Sequence, residues 1–494
     1  MEIRFSEYSE PLFDDQESRD LDRKTIVEFG ISGSHLMGFA ALSIYQQYRK
    51  KILWADSVYI LCGNGNNGGD GLALAFFLIQ EEKESKVFLK EGTLSEESEY
   101  YKNLFLRSGG KILNLESDPL LFEGENICII DALLGTGFQP PIREPYASLF
   151  EIIQRQKKRS PKRTFILSID VVSGFSEESA LPFEVDALAE IGMKKWRNRF
   201  LPNEIRKTFH RIGFPISQKR DSDPDSKIKK TLWKRIPDSS LKKSLKREED
   251  SHKYKNGSLL LIGGSQGLTG AALSSVLAFH ELGGGISLLL SPSAKTVRSV
   301  LKKDPSLMVD EIGDSSQILS RPFVQKASVF LFGPGLKPEE CPVLDLPKDK
   351  FCVLDAGAIG VYKDKILHEK VLITPHTGEL EMLLNSKIKN VSDGISLLKD
   401  YTRSFRVYIL WKRHSSFLID PNGNLFFWEK TEPKLAVMGT GDLLAGILAF
   451  FLSRGFAIPN ATQLSFSLLT NAARRSKNFP TASGIRKRLQ KGGN

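Results

Sequence analysis

Two α/β domains joined head to tail are what this 494-residue chain predicts, and three observations carry the prediction. Its length is that of two or three domains at about 100–200 residues each. Short continuous apolar runs bounded by glycine recur along both halves, as in strands buried on both faces. In each half one such run leads into a glycine-rich turn and then into helical spacing, the layout of a βα unit in a parallel sheet.

In the first half, an apolar run at 58–62 precedes the turn Gly63-Asn-Gly-Asn-Asn-Gly-Gly-Asp-Gly71, and helical spacing begins at Leu72. Further strands are predicted at 127–130 and 164–169. The second half predicts a strand at 259–262, a loop over 263–270, a helix over 271–282 and a returning strand at 286–290. Runs at 329–332, 351–354, 371–373 and 407–410 continue the series. Between the halves, 217–249 is polar, charged and poor in β-branched residues, the composition of a linker. The expected organisation is therefore a domain at 1–216, a basic linker at 217–249 and a second domain at 250–494.

Apolar residues make up 41% of the chain, enough for ordinary cores and too many for a disordered one. The net charge of +10 is concentrated at 218–255 and after Arg486. Such runs are usually solvated, and no aromatic-interleaved basic ladder of the kind found in a nucleic-acid footprint accompanies them. Cys62, Cys128, Cys341 and Cys352 form no C-x-x-C pair, and the first, second and fourth lie inside apolar runs. Neither a disulfide framework nor a zinc site is expected. The first twenty residues are acidic and lack a leader's basic-then-apolar order. The longest apolar run, near 443–452, is too short to span a bilayer. A soluble cytoplasmic protein with no membrane partner is the expectation.

The turn after 58–62 matches G-x-G-x-x-G, whose glycines let a backbone approach a diphosphate. Asp70 argues against that use, because its carboxylate would repel phosphate. Asn side chains and a carboxylate beside a glycine turn suit a hydroxyl, an amide or a small cation. Two more strand ends carry matching chemistry, Asp131 followed by Gly135-Thr-Gly137, and Asp170 followed by Ser173-Gly174. In open parallel sheets ligands bind beyond the carboxyl ends of strands, so these loops can converge on one pocket. In the second half, Gly439-Thr-Gly441-Asp442 opens the apolar run LLAGILAFFL. Backbone N–H groups there form an anion hole, with Asp442 placed as a base or as an orienter of a substrate hydroxyl. Phe332-Gly-Pro-Gly335 and Thr374-Pro-His376-Thr-Gly-Glu379 stand at two further strand ends.

NNGGDG, DALLGTG and SIDVVSG, in this order, resemble the epimerase domain of the bifunctional NAD(P)H-hydrate repair enzymes. HKYKNGSLLLIGGS, GLTGAA, FGPG, TPHTGE and AVMGTGDLLAGI resemble the ribokinase-like dehydratase domain of the same family. The resemblance implies a Rossmann-like three-layer domain followed by a ribokinase-like one. NADH and NADPH slowly add water across the nicotinamide ring, giving R and S hydrates (NADHX and NADPHX). The first domain would interconvert the epimers. The second would dehydrate the S form, with ADP (ATP in some relatives) as phosphoryl donor and Mg2+ accompanying it.

By resemblance, Asn66, Asn67, Gly68, Gly69 and Asp70 would bind the hydrate, as would Asp170 and the loop Gly135, Thr136, Gly137, Phe138, Gln139, Pro140 and Pro141. Asn67, Asp131 and Ser173 would hold a potassium ion. In the second domain Ala271, Gly335, His376 and Asp442 would contact the hydrate, and Lys412, Arg413, His414, Ser415, Ser416 and Gly441 the adenine nucleotide. Asp442 and Asp170 are the expected catalytic residues. A homo-oligomer is expected, and no nucleic-acid partner. The chain departs from the family pattern at Gly38 and Gly357, where a carboxylate is usual, at Val172 in place of proline, and at Arg413 in place of glycine. Two alternatives compete: a ribokinase-like small-molecule kinase with an accessory domain, and a non-catalytic nucleotide- or RNA-binding scaffold.

Overall fold

The computed structural model describes residues 3–177, 179–214, 229–247, 249–365, 367–429 and 432–489. The chain divides into two compact units, one of Leu12–Ser226 and one of Met1–Pro11 with Lys227–Asn494. The first strand, β1 (Ser9–Leu12), belongs to the sheet of the second unit.

The first unit is built on β2 (Ser57–Cys62), β3 (Lys86–Leu89), β4 (Ile112–Asn114), β5 (Ile127–Ala132), β6 (Thr164–Ile169), β7 (Ala187–Ile191) and β8 (Arg206–His210). They form one sheet in the order β4-β3-β2-β5-β6-β7-β8, with every pairing parallel. Successive side chains of a strand point to opposite faces. In β2, Val58, Ile60 and Cys62 accordingly enter one core, with the helices Gly33–Trp54 and Asn66–Gln80. Tyr59 and Leu61 enter the other, with Leu149, Phe150 and Ile153 of the helix Tyr146–Arg159. Helices cover both faces, so the unit has the three layers of a Rossmann-like domain.

The second unit contains β9 (Lys230–Trp233), β10 (Ser258–Ile262), β11 (Ile286–Ser291), β12 (Met308–Glu311), β13 (Val329–Phe332), β14 (Phe351–Leu354), β15 (Val371–Ile373), β16 (Tyr408–Trp411), β17 (Ser416–Ile419) and β18 (Leu425–Trp428). With β1 they order as β1-β9-β18-β17-β16-β15-β14-β13-β10-β11-β12. From β16 to β12 the pairing is parallel throughout. The hairpin β16-β17-β18 is antiparallel. The helices Thr269–Glu281, Thr440–Ser453 and Ile458–Arg474 share one core with Leu259, Leu261, Val329, Leu331 and Val353 of the sheet. This is an α/β architecture with a mostly parallel sheet.

Two expectations need correction. The helix after the first glycine turn begins at Asn66 rather than Leu72, so the asparagines and Asp70 lie in its first turns. The stretch 217–249 is not all linker. β9 and the helix Asp238–Leu245 occupy its second half, anchored by buried Leu232, Trp233, Ile236 and Leu241. Those four apolar residues are spaced among lysines that stay outside, which hid them in a charge-dominated composition. Residues 217–228 of that stretch lie outside the described residues. Among the described residues no helix is long and apolar enough to cross a membrane, and all four cysteines are buried and free.

Candidate active sites

In the first unit the three carboxylates stand where the sheet order places them, at the carboxyl edge of β2, β5 and β6. Asp131, the fifth residue of β5, is fully buried. Its Oδ2 accepts from Ser168 Oγ at 2.7 Å and Ser173 N at 3.0 Å, and its Oδ1 from Ser173 Oγ at 2.5 Å and Leu133 N at 3.3 Å. Burial raises its pKa, and the Ser173 and Ser168 hydroxyls oppose the rise. Asn67 Nδ2 donates to Leu134 O at 3.2 Å, while Asn67 Oδ1 is buried with no hydrogen-bond partner. An orphaned buried carbonyl oxygen beside a carboxylate and a hydroxyl is a donor set for a hard cation.

Asp170 follows β6 with φ at +66°. Its N–H donates to Ala189 O at 2.7 Å, and its C=O accepts from Asn198 Nδ2 at 3.0 Å. Its Oδ1 accepts from Lys195 Nζ at 2.5 Å and Ile191 N at 3.0 Å. Asp70 and Asp22 share its cavity. Burial raises the Asp70 pKa well above the carboxylate range, the charges of Asp170 and Asp22 add to the rise, and Lys195 opposes it. Asp22 is raised by burial, then by Asp170 and Glu97. The cavity measures 430 Å3 and is lined by Asn66, Asn67, Asp70, Gly135, Thr136, Gly137, Phe138 and Asp170 among the expected residues. Gln139, Pro140 and Pro141 are not in its lining, and Gly68 and Gly69 are buried in the helix behind it.

In the second unit Asp442 lies in the first turn of the helix Thr440–Ser453, whose N-cap Gly439 has φ at +92°. Thr440 Oγ1 donates to Leu435 O at 2.9 Å or Val437 O at 3.0 Å, fixing the turn. First-turn N–H groups have no partner within a helix, so this end is open to an anion. Burial pushes the Asp442 carboxyl up to about 6, Asp355 adds to the rise, and Lys412 opposes it. Lys412 Nζ donates to buried Asp355 Oδ1 at 2.6 Å, and Thr374 Oγ1 donates to the same oxygen at 2.7 Å. A Cβ placed on Gly441 would lie 3.9 Å from Lys412 Nζ, which ties the G-T-G-D turn to the ion pair.

Ser275 Oγ links Asp442 O at 2.8 Å to Ala271 O at 3.1 Å. Ala271 touches Gly335, where a Cβ would come within 3.0 Å of the Ala271 Cβ. His376 bridges to Lys412 through the backbone. Its Nδ1 accepts from Gly378 N at 3.0 Å and Glu379 N at 3.3 Å, so the ring caps the helix Thr377–Leu384, and its Nε2 lies 3.5 Å from Glu379 Oε1. Arg413, His414 and Ser415 form the turn between β16 and β17, and Ser416 opens β17. The Arg413 guanidinium stacks over Trp411 at 4.9 Å, and burial lowers its pKa.

The family model for the YjeF-related protein N-terminus matches residues 33–193, and that for NAD(P)H-hydrate dehydratase matches residues 259–489. The chain belongs to the bifunctional NAD(P)H-hydrate repair family. It is 27% identical over 491 residues to the bifunctional NAD(P)H-hydrate repair enzyme Nnr of Coxiella burnetii, covering 94% of each chain. The enzyme of the same name from Escherichia coli is 27% identical over 446 residues, covering 88% of this chain and 83% of that one. A crystal structure of the ADP/ATP-dependent NAD(P)H-hydrate dehydratase from Bacillus subtilis with ATP and Mg2+ matches 52% of this chain and 96% of that one, at 22% identity and TM-score 0.44.

Two departures from the family pattern have a steric account. A Cβ on Gly38 would meet the Tyr101 hydroxyl at 2.3 Å, and Tyr101 itself donates to Ser34 O. A Cβ on Gly357 would meet Leu336 O at 1.9 Å. In this family member neighbouring atoms fill the space a carboxylate side chain would need. The sequence reading did not single out Lys195, Asp22 or Lys412's partner Asp355 as site residues. Asp355 follows β14 as Asp170 follows β6, a signal that was available. Lys195 sits in a Lys-Lys-Trp-Arg-Asn-Arg run that reads as basic surface, and only its burial to 3% exposure reveals otherwise.

Proposed function

We propose that this chain restores hydrated nicotinamide cofactors, epimerising NADHX and NADPHX in its first unit and dehydrating the S form in its second. The observation that carries the reading is that both family domains are present on one chain, each with its carboxylates gathered at strand or helix ends. In the second unit, ionised Asp442 takes the proton from the ring hydroxyl as it attacks the terminal phosphoryl group of ADP or ATP. The first-turn N–H groups and Lys412 offset the charge that develops on phosphate, and Mg2+ accompanies the nucleotide. Phosphate then leaves with the ring C–O bond, the neighbouring ring carbon gives up a proton, and the double bond so restored returns the reduced cofactor.

Asn67, Asp131 and Ser173 would hold a potassium ion, supported by the unpartnered Asn67 Oδ1. An amide and a hydroxyl oxygen with a single carboxylate are hard donors of low total charge, which suit a monovalent ion. Bound there, the cation would offset the buried charge of Asp131. We place the enzyme in the cytoplasm, which suits four free buried cysteines. We also read it as a homo-oligomer, which suits exposed Val27, Phe29, Phe39, Leu42, Leu53 and Trp54 in the first unit.

Recovery of nicotinamide absorbance from mixed R and S NADH hydrate tests the reading, with potassium and with ADP or ATP in parallel. Full recovery of both epimers, faster than spontaneous epimerisation, is the expected result. Recovery that stalls when the S form is gone would remove the epimerase half. A stable phosphorylated product would favour the kinase alternative.

A further inference from the structure

The residues around Asp170 are more tightly arranged than substrate contact alone requires. A non-glycine residue at positive φ is held there only where its surroundings over-determine it. Here the Asp170 N–H, C=O and Oδ1 are all engaged, by Ala189, Asn198, and Lys195 with Ile191. Among the described residues Oδ2 has no such tether. Lys195 is 3% exposed and donates to Asp170 Oδ1, Ile191 O at 2.9 Å and Met193 O at 3.3 Å. Three acceptors match the three hydrogens of an ammonium, so Lys195 has none left for a substrate. A further layer holds Lys195 in turn. Glu190 Oε1 accepts from Lys195 N at 2.6 Å and Asn198 Nδ2 at 3.0 Å, while Glu190 Oε2 accepts from Arg199 Nη2 at 2.7 Å. Glu190, Asn198 and Arg199 are all buried.

We propose that Lys195 is the positioning residue of the epimerase site, fixing Asp170 so that its free oxygen and Asp70 serve as the two proton-carrying groups of the reaction. This inference rests on the epimerase reading above. Water added across an enamine double bond leaves its hydroxyl on the carbon next to the ring nitrogen. Epimerisation there breaks that C–O bond. The departing oxygen takes the Asp70 proton and leaves as water, and the nitrogen lone pair closes a C=N+ bond. A water then adds to the opposite face; its oxygen lone pair forms the new C–O bond and its proton passes to Asp170. Return of a proton from Asp170 to Asp70 completes the cycle. The other charged groups facing this space are Arg19 and Asp22 from the helix Asp15–Phe29 and Glu97 from the helix Glu96–Arg107. Burial and the neighbouring carboxylates favour the protonated form of Asp70, the form a donor requires.

The test measures epimerisation by the wild-type chain and by Lys195→Met and Asp70→Asn, each with its unfolding curve. Loss of positioning is expected to lower kcat of Lys195→Met about a hundredfold while KM for the hydrates moves little. Asp70→Asn keeps shape and hydrogen bonding but carries no proton, and is expected to lose kcat by about a hundredfold or more. A folded Lys195→Met with near-wild-type kcat would overturn the positioning role. So would a loss expressed wholly in KM. If Lys195→Met does not unfold cooperatively, Asp70→Asn decides, and full activity there sinks the proton pair. A wild-type chain that interconverts nothing would sink the epimerase reading and this inference together, whereas an active wild type with active variants sinks this inference alone.

Discussion

At Asp442, one environment has two opposite consequences. Burial and the neighbouring Asp355 favour the neutral acid, pushing its pKa from the ordinary 3.8 up to about 6. A base must be ionised to act, so dehydratase turnover is expected to rise with pH through about 6 and level off above it. Lys412→Met removes the cation that opposes the rise, and should move that limb to higher pH in a kcat profile. The same shift sets a stability trend. Between 3.8 and about 6 the folded chain binds more protons than the unfolded chain, so stability falls as pH rises through that window. Asp442→Asn should therefore lose about a hundred- to ten-thousandfold in dehydration rate. At pH 7 it should also unfold at a higher temperature than wild type, by about 2–4 °C for each kcal/mol relieved. Below pH 4 that thermal advantage should vanish. A variant that is inactive but no more stable at pH 7 would show that Asp442 is not held against its charge.

At the scale of elements, the strands and glycine turns were legible because their causes are local. Glycine-bounded apolar runs mark strands buried on both faces, and the runs at 164–169, 329–332, 351–354 and 371–373 coincide with observed strands. The turns also show why so many glycines stand together. A Cβ on Gly63 would lie 1.9 Å from Leu133 O, and one on Gly68 would lie 1.8 Å from Gly63 O, so strand β2, its helix and the loop after β5 meet through bare backbone. A Cβ on Gly65 meets nothing within 4 Å. Gly68→Ala should therefore lower the stability of the first unit by about 1–3 kcal/mol and abolish epimerisation, whereas Gly65→Ala should leave the unfolding transition where it is. Calorimetry on the two variants checks the contrast. What stayed hidden depends on distant partners. That Lys195 is buried follows from packing against Asp170, Ile191 and Met193, and that Lys412 faces Asp355 follows from β14 lying two strands from β16. Neither arrangement leaves a mark in local spacing.

For the whole molecule, the boundary between units does not follow the order of the chain. The first residues complete the second unit's sheet, with β1 beside β9. Ile3, Phe5 and Tyr8 pack against its core, and Tyr8 Oη hydrogen-bonds Ser240 Oγ at 2.8 Å. Tyr8 O accepts from Lys234 N at 2.8 Å and Gln463 Nε2 at 2.7 Å. An ion pair between Glu10 and Lys234 adds to these contacts. Without this segment β9 would become an exposed sheet edge, which templates association with other chains. The core would also lose two aromatic side chains, whose burial is worth about 1.5–3 kcal/mol each at full cover. Removal of residues 1–11 from the full chain should thus lower the unfolding temperature of the dehydratase unit and promote its aggregation, although the segment contributes none of the site residues. The epimerase transition should stay in place, since its core draws on none of these side chains. Two calorimetric transitions that shift together on this deletion would show that the segment serves both units. A dehydratase transition that does not move would show that the strand is an ornament on a sheet already complete at β9.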